Sequence, residues 1–199
     1  MKIAIGRLVR VFAALALFVS AGSAWAQWEL DGAKSAVNFI SVKNDSVAEV
    51  HSFGSLLGYI GGDGKVQLTI NLNSVQTLVD IRDQRMKEVL FETVTFPAAT
   101  VTAAVDPVIL TAVAEGGTVF TDLPVTLALH GHEQPLTVPV AVIGEGDGRI
   151  RVFSLRPVII KAADFGLEAG VTALQKLAGL QAISTAVPVT FHLVFSSGK

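Results

Sequence analysis

The sequence predicts an all-β chain closed into an antiparallel barrel, and three observations carry the prediction. First, Leu123 to Ile143 reads as two strands folded back across a short polar loop. Val125, Leu127 and Leu129 alternate with Thr126, Ala128 and His130, and Leu136, Val138, Val140 and Val142 alternate with Thr137, Pro139 and Ala141. Such period-two alternation marks a strand with one apolar face. Second, the pattern recurs, most strictly at Val66, Leu68, Ile70 and Leu72. Third, Gly54 and Gly58 interrupt a strand-like run, as glycines do where curved sheets bend to close. Pro139 cannot donate a ladder hydrogen bond, which predicts an edge or a bulge there.

Taken in order, residues 1–26 read as a secretory signal peptide and 27–199 as one domain. Lys2, Arg7 and Arg10 precede the apolar run Val11 to Val19, and Ala24-Trp25-Ala26 offers a small-residue cleavage site. The apolar run is shorter than the roughly 20 residues of a membrane span, so no stable span is expected after cleavage. This leader fits the periplasm of a Gram-negative bacterium. The chain contains no cysteine, so burial and backbone pairing alone must stabilise it.

Without the three basic leader residues, twelve Lys and Arg face seventeen Asp and Glu, a net of −5. Cations this sparse leave no footprint for nucleic acid. Only 16% of residues are charged and 51% are apolar. Part of that bias comes from the leader; the rest is the excess that an internal cavity would require.

Trp28 to Asp31 opens the domain as a short strand, followed by Ala36 to Lys43 and an Asn44-Asp45 turn. Gly61 to Gly64 is a further turn. At Asp80 to Leu90 the period becomes helical, with Asp80 placed to cap the start and Phe96-Pro97 to follow the end. Strands are expected again at Ala99 to Ala104, Val108 to Ala114, Thr118 to Asp122, Arg149 to Ile160 with a break at Pro157, and Pro188 to Phe195. Between the last two, Leu174, Leu177, Leu180 and Ile183 form an apolar stripe at helical spacing within Val171 to Ile183. That segment is expected to plug one barrel end or to move as a lid on Gly170 and Gly179.

Several blocks in order resemble the YceI-like family of bacterial secreted proteins. Trp28-Glu29-Leu30-Asp31 with Ser35, Val37 and Phe39 resembles its opening block, and Asn73 to Thr77 with Arg82-Asp83 the block before its helix. Phe96-Pro97, Leu127 to Gly131 with Pro135-Leu136, and Asp164-Phe165-Gly166 resemble three more. The resemblance implies a lipocalin-like antiparallel β-barrel of about eight strands with one or two short helices. It further implies a long isoprenoid lipid, such as a quinone, a quinone precursor or a polyprenol, held in an apolar lumen. The segment around Gly54 to Gly58 and the Val171 to Ile183 helix depart from the family pattern, which bears on the shape of the lumen.

The candidate lumen residues are the aromatics Phe39, Phe53, Phe91, Phe96, Phe153 and Phe165, with Phe191 beside them. Of these, Phe39 and Phe153 are expected to abolish lipid retention when replaced by Asp. In a filled barrel the same side chains are simply core, since pockets and cores use the same residue types. An interaction module with a filled barrel, acting in envelope or stress-response complexes, is the alternative function. A homodimer is left open.

No catalytic constellation stands out. There is no G-x-S-x-G elbow, and Asp80, Asp83 and Glu88 read as cap and surface charge on a short helix. Arg82 and Asp83 read as a local ion pair, or as groups reaching a lipid head. His130 and His132 could share a face and a metal, but they read as decoration of a hairpin loop. No metal or cofactor is expected, and the chain is read as a binding protein rather than an enzyme.

Overall fold

The structure, a computed structural model, describes residues 26–197, so the predicted leader lies outside it but for Ala26. Twelve strand segments make eight staves. β1 (Ala26–Leu30) and β2 (Ala36–Lys43) form the first, β3 (Val47–Phe53) and β4 (Leu56–Gly61) the second, and β5 (Lys65–Asn71) and β6 (Val75–Gln76) the third. β7 (Ala98–Ala104), β8 (Thr118–Leu129) and β9 (His132–Gly144) are single staves. β10 (Arg149–Ser154) and β11 (Val158–Lys161) share one, and β12 (Ala186–Ser197) is the last. Each stave pairs antiparallel with its sequence neighbour, and β1 pairs with β12 to close the ring. Closure removes the free edges that an open sheet would expose.

The broken staves bend where their residues predict. Asp31 accepts the Ala33 amide at 3.1 Å and turns the chain through Gly32–Lys34 between β1 and β2. Asn71 does the same for Leu72–Ser74 by accepting from Asn73 at 3.0 Å. Gly54 sits at the β3–β4 break and Pro157 at the β10–β11 break. The β8–β9 hairpin turns on His130 and Gly131, both at positive φ (52° and 78°), the two-residue geometry that matches strand twist.

Four expectations are corrected. Val108 to Ala114 is not a strand but the body of helix α2 (Pro107–Ala114). Asp106 accepts the Val108 amide at 2.8 Å and Pro107 takes the first helical position, a start signal that outweighs the β-branched composition. Asp106→Ala should cost about 1 kcal/mol in urea unfolding. Pro139 is interior to the sheet, opposite Asp122 of β8. Its missing N–H falls where the β9–β10 ladder ends, at Ser154↔Val140, and its carbonyl accepts from Leu155 at 2.9 Å.

The other two concern the remaining helices. α1 (Asp80–Arg85) is preceded by Val79 as its cap, and Asp83 rather than Asp80 reaches back, accepting the Thr77 amide at 2.8 Å. α3 (Glu168–Leu177) stops well before Ile183. The amides of Gly179 and Leu180 donate to the carbonyls of Lys176 and Gln175, a Schellman stop with Gly179 at φ 62°. Leu180 and Ile183 are therefore off the helix. At Gly170 a Cβ would stand 2.9 Å from the Val89 carbonyl oxygen, so the glycine permits the close crossing of α3 over the end of α1. Among the described residues no helix is long and apolar enough to cross a membrane.

Candidate functional site

The alternation fixes which side chains enter the barrel. On β8, Leu123, Val125, Leu127 and Leu129 point inward, and on β9 Leu136, Val138, Val140 and Val142 meet them. β5 contributes Val66, Leu68 and Ile70, and β12 contributes Val187, Val189, Phe191, Leu193 and Phe195. The opposite parity carries Thr, Asp, Pro and Gln toward solvent or neighbouring loops. The cavity measures about 280 Å³, and every side chain lining it is Val, Leu, Ile, Phe, Met or Ala. It could offer a ligand dispersion and hydrophobic burial but no polar contact.

Helices close both ends. α2 lies across one, sending Ile109 and Leu110 into the cavity. α1 and α3 cross the other. There α1 runs on as a π-helical turn, Met86–Leu90, in which the Phe91 amide donates to the Met86 carbonyl at 2.9 Å. This wider turn places Met86, Leu90 and Phe91 together over the lumen; such π-turns recur at functional sites.

The six predicted aromatics divide in two. Phe39, Phe53 and Phe91 line the cavity and meet at the α1 end, with ring centroids 5.3 Å apart for Phe39–Phe53 and 6.1 Å for Phe53–Phe91. Phe191 lines it too. The other three do not border it. Phe153 has the parity of Arg149 and Arg151, opposite to inward Ile150 and Val152, so it lies outside the wall, stacked at 4.8 Å on His192. Charge at Phe153 is therefore not expected to reach the lumen. Phe96 follows the helix and packs on His130 at 4.5 Å. Phe165 is buried in the core beneath the α3 end but stands off the cavity surface.

Sequence reading missed Phe195, although it sits four residues from Phe191 at the same parity, and it missed Ile109 and Leu110 through the α2 error. His130 and His132 both lie beside the Phe165–Gly166 turn. His130 Nδ1 lies 3.3 Å from the Phe165 carbonyl, while His132 lies against Gly166. Among the described residues no cluster of His, Asp and Glu is arranged to hold a metal.

Behind the aromatic end the inner faces of β2 and β3 turn polar. Glu49 binds Lys43 at 2.7 Å and Arg82 at 2.8 Å, so the expected local pair of Arg82 with Asp83 is replaced by a cross-element one. The Lys43 ammonium, followed by Arg82, holds the Glu49 carboxyl below its usual range. His51 is buried against Phe39 at 5.0 Å, and burial, reinforced by the Arg82 charge, pushes its imidazole toward the neutral form.

The family model for the YceI-like domain matches residues 28–195, almost all of the described chain. The chain belongs to this family. Among solved structures, this YceI-like chain is 42% identical to a polyisoprenoid binding domain from Saccharophagus degradans implicated in plant cell wall breakdown. The match covers 87% of this chain and 99% of that one, with a TM-score of 0.84. Burkholderia cenocepacia BcnA shares the fold at 22% identity, 83% and 98% coverage and TM-score 0.64. So does a Campylobacter jejuni YceI protein, at 19% identity, 75% and 84% coverage and TM-score 0.52. No curated protein matches the sequence. The YceI-like barrel here is thus the lipocalin-like eight-stave form, with α1 and α3 elaborating one end.

Proposed function

We propose that this YceI-like protein binds an isoprenoid lipid non-covalently in the barrel lumen and carries or stores it in the periplasm. The observation that carries this reading is the cavity itself, a space of about 280 Å³ walled only by carbon-rich side chains. A barrel of eight strands has room either to fill its interior or to hold one small ligand. This one leaves space, just below the usual range for ligand pockets of roughly 300–1,000 Å³. Each methylene buried contributes about 0.8 kcal/mol, so binding tolerates variation in chain identity. The S. degradans relative, a polyisoprenoid binding domain, supports the choice of ligand class. Quinones, quinone precursors and polyprenols all fit the description. The basic, apolar and small-residue order of residues 1–26 supports export.

Native mass spectrometry of protein recovered from periplasm, followed by solvent extraction, tests the reading. The expected result is a chain beginning at Gln27 with a discrete added mass that extracts as a polyprenyl compound. Ala99→Phe combined with Ala103→Phe, both on the lumen face of β7, should leave a folded barrel and remove that mass. An apo mass that persists after incubation with quinones and polyprenols would sink the carrier and leave the filled-barrel interaction module.

A further inference from the structure

The lumen offers a tail everything and a head nothing, so a head group must be met elsewhere. One polar surface adjoins the cavity's aromatic end on the inward face of β2 and β3. Phe39 of β2 stands directly opposite His51 of β3, and Ser41 stands opposite Glu49. The four side chains therefore share the face that Phe39 and Phe53 present to the lumen. His51 is 4% exposed. Its Nε2 lies 2.8 Å from the Ser41 hydroxyl oxygen, whereas Nδ1 is buried with no hydrogen-bond partner in the protein. Arg82, which bonds Glu49 and donates to the Thr77 carbonyl, likewise keeps a buried Nε without a partner. Buried polar atoms are nearly always satisfied, and each exception calls for an explanation.

We propose that this polar cluster behind Phe39, formed by Ser41, His51 and Arg82, is the head-group site for a neutral, oxygen-bearing isoprenoid: an alcohol, phenol or quinone. The assignment rests on the lipid reading above and extends it to the polar end. Two features select a neutral oxygen over a phosphate. Lys43 and Arg82 are both already bound to the Glu49 carboxylate, and Arg82 also to the Thr77 carbonyl, so an anion would have to compete with Glu49 for them. A neutral imidazole also serves either kind of neutral head. If Nε2–H donates to Ser41, Nδ1 accepts from a ligand hydroxyl; if the serine donates, Nδ1–H donates to a ligand carbonyl. Burial and the Arg82 charge, which both disfavour the imidazolium, act in the same direction.

Three probes with one C20 chain test the site: geranylgeraniol, the corresponding hydrocarbon without the hydroxyl, and geranylgeranyl phosphate. The wild-type protein should bind the alcohol about tenfold more tightly than the hydrocarbon, the worth of one net hydrogen bond, and the phosphate more weakly than the alcohol. His51→Phe should keep hydrocarbon affinity and erase the preference for the alcohol. In the wild-type protein, the His51 Nδ1 nitrogen resonance should shift with the alcohol and not with the hydrocarbon, a readout that does not depend on the variant folding. A preference that survives His51→Phe, or an Nδ1 resonance unmoved by bound alcohol, would overturn the assignment and leave Nδ1 to water. If the wild-type protein takes up none of the three, the lipid reading falls together with it.

Discussion

Gly144→Ala should destabilise the barrel by at least about 3 kcal/mol, the upper end for forcing extra atoms into a packed site. The residue ends β9 where the wall meets α2, and a Cβ built there stands 1.7 Å from the Val113 carbonyl oxygen. That atom is backbone, so no rotamer change can relieve the clash. The Gly144 amide also donates to the Gly117 carbonyl at 2.9 Å, holding the strand in place against the helix. Relief requires α2 to lift from the barrel end, withdrawing Ile109 and Leu110 from the lumen. Gly146→Ala is the control: that position has positive φ (69°) but nothing within 4 Å, so only about 1 kcal/mol of left-handed strain is expected. Urea unfolding of both variants checks the contrast. A Gly144→Ala midpoint as close to wild type as that of Gly146→Ala would mean that α2 does not bear on the wall.

Phe195→Ala should cost about 3–5 kcal/mol, the range for removing a buried aromatic side chain. The ring is 1% exposed, and its residue pairs with Leu30 on one side and Ile150 on the other. It therefore packs at the seam where first and last staves join. Because Phe195 also lines the cavity, the void it leaves merges with the existing one. An apolar cavity of that kind stays dry and accepts apolar guests. The variant should recover part of its lost stability on addition of a small hydrocarbon, while the wild type gains less. Calorimetry with and without the hydrocarbon separates this from general loosening, in which the guest restores nothing.

The wall of the barrel was legible because inward and outward residues differ in kind along β5, β8 and β9, where alternation is unbroken. The lumen followed from the same parity. Phe153 shows the limit of choosing residues by type: an aromatic is as apt to cover the outside of a sheet as its inside, and Ile150 and Val152 were the better guides. α2 was misread because its Val and Ile favour strands while the decisive signal, Asp106-Pro107, occupies two residues. His51 was invisible as a site residue because its meaning depends on Phe39 standing opposite, a matter of register that no local pattern records. Likewise the Arg82–Glu49 pair joins a helix to a strand, so sequence spacing offered only the nearer partner, Asp83.

The seam between β1 and β12 also governs how the molecule is made. Every other adjacency in the ring joins consecutive staves, so most of the wall can zip up locally as the chain emerges. Trp28 to Leu30, however, must wait for Phe195 to Ser197, the costliest loop to close and the slowest contact to form. Until then the sheet is an open trough whose concave side is apolar but for the Ser41, His51 and Glu49 end. A newly made chain thus passes through a stage in which its interior is exposed to any hydrophobe or to another trough like itself. Slow closure is the hazard of this architecture, and a lipid that enters the trough before the seam shuts needs no later opening.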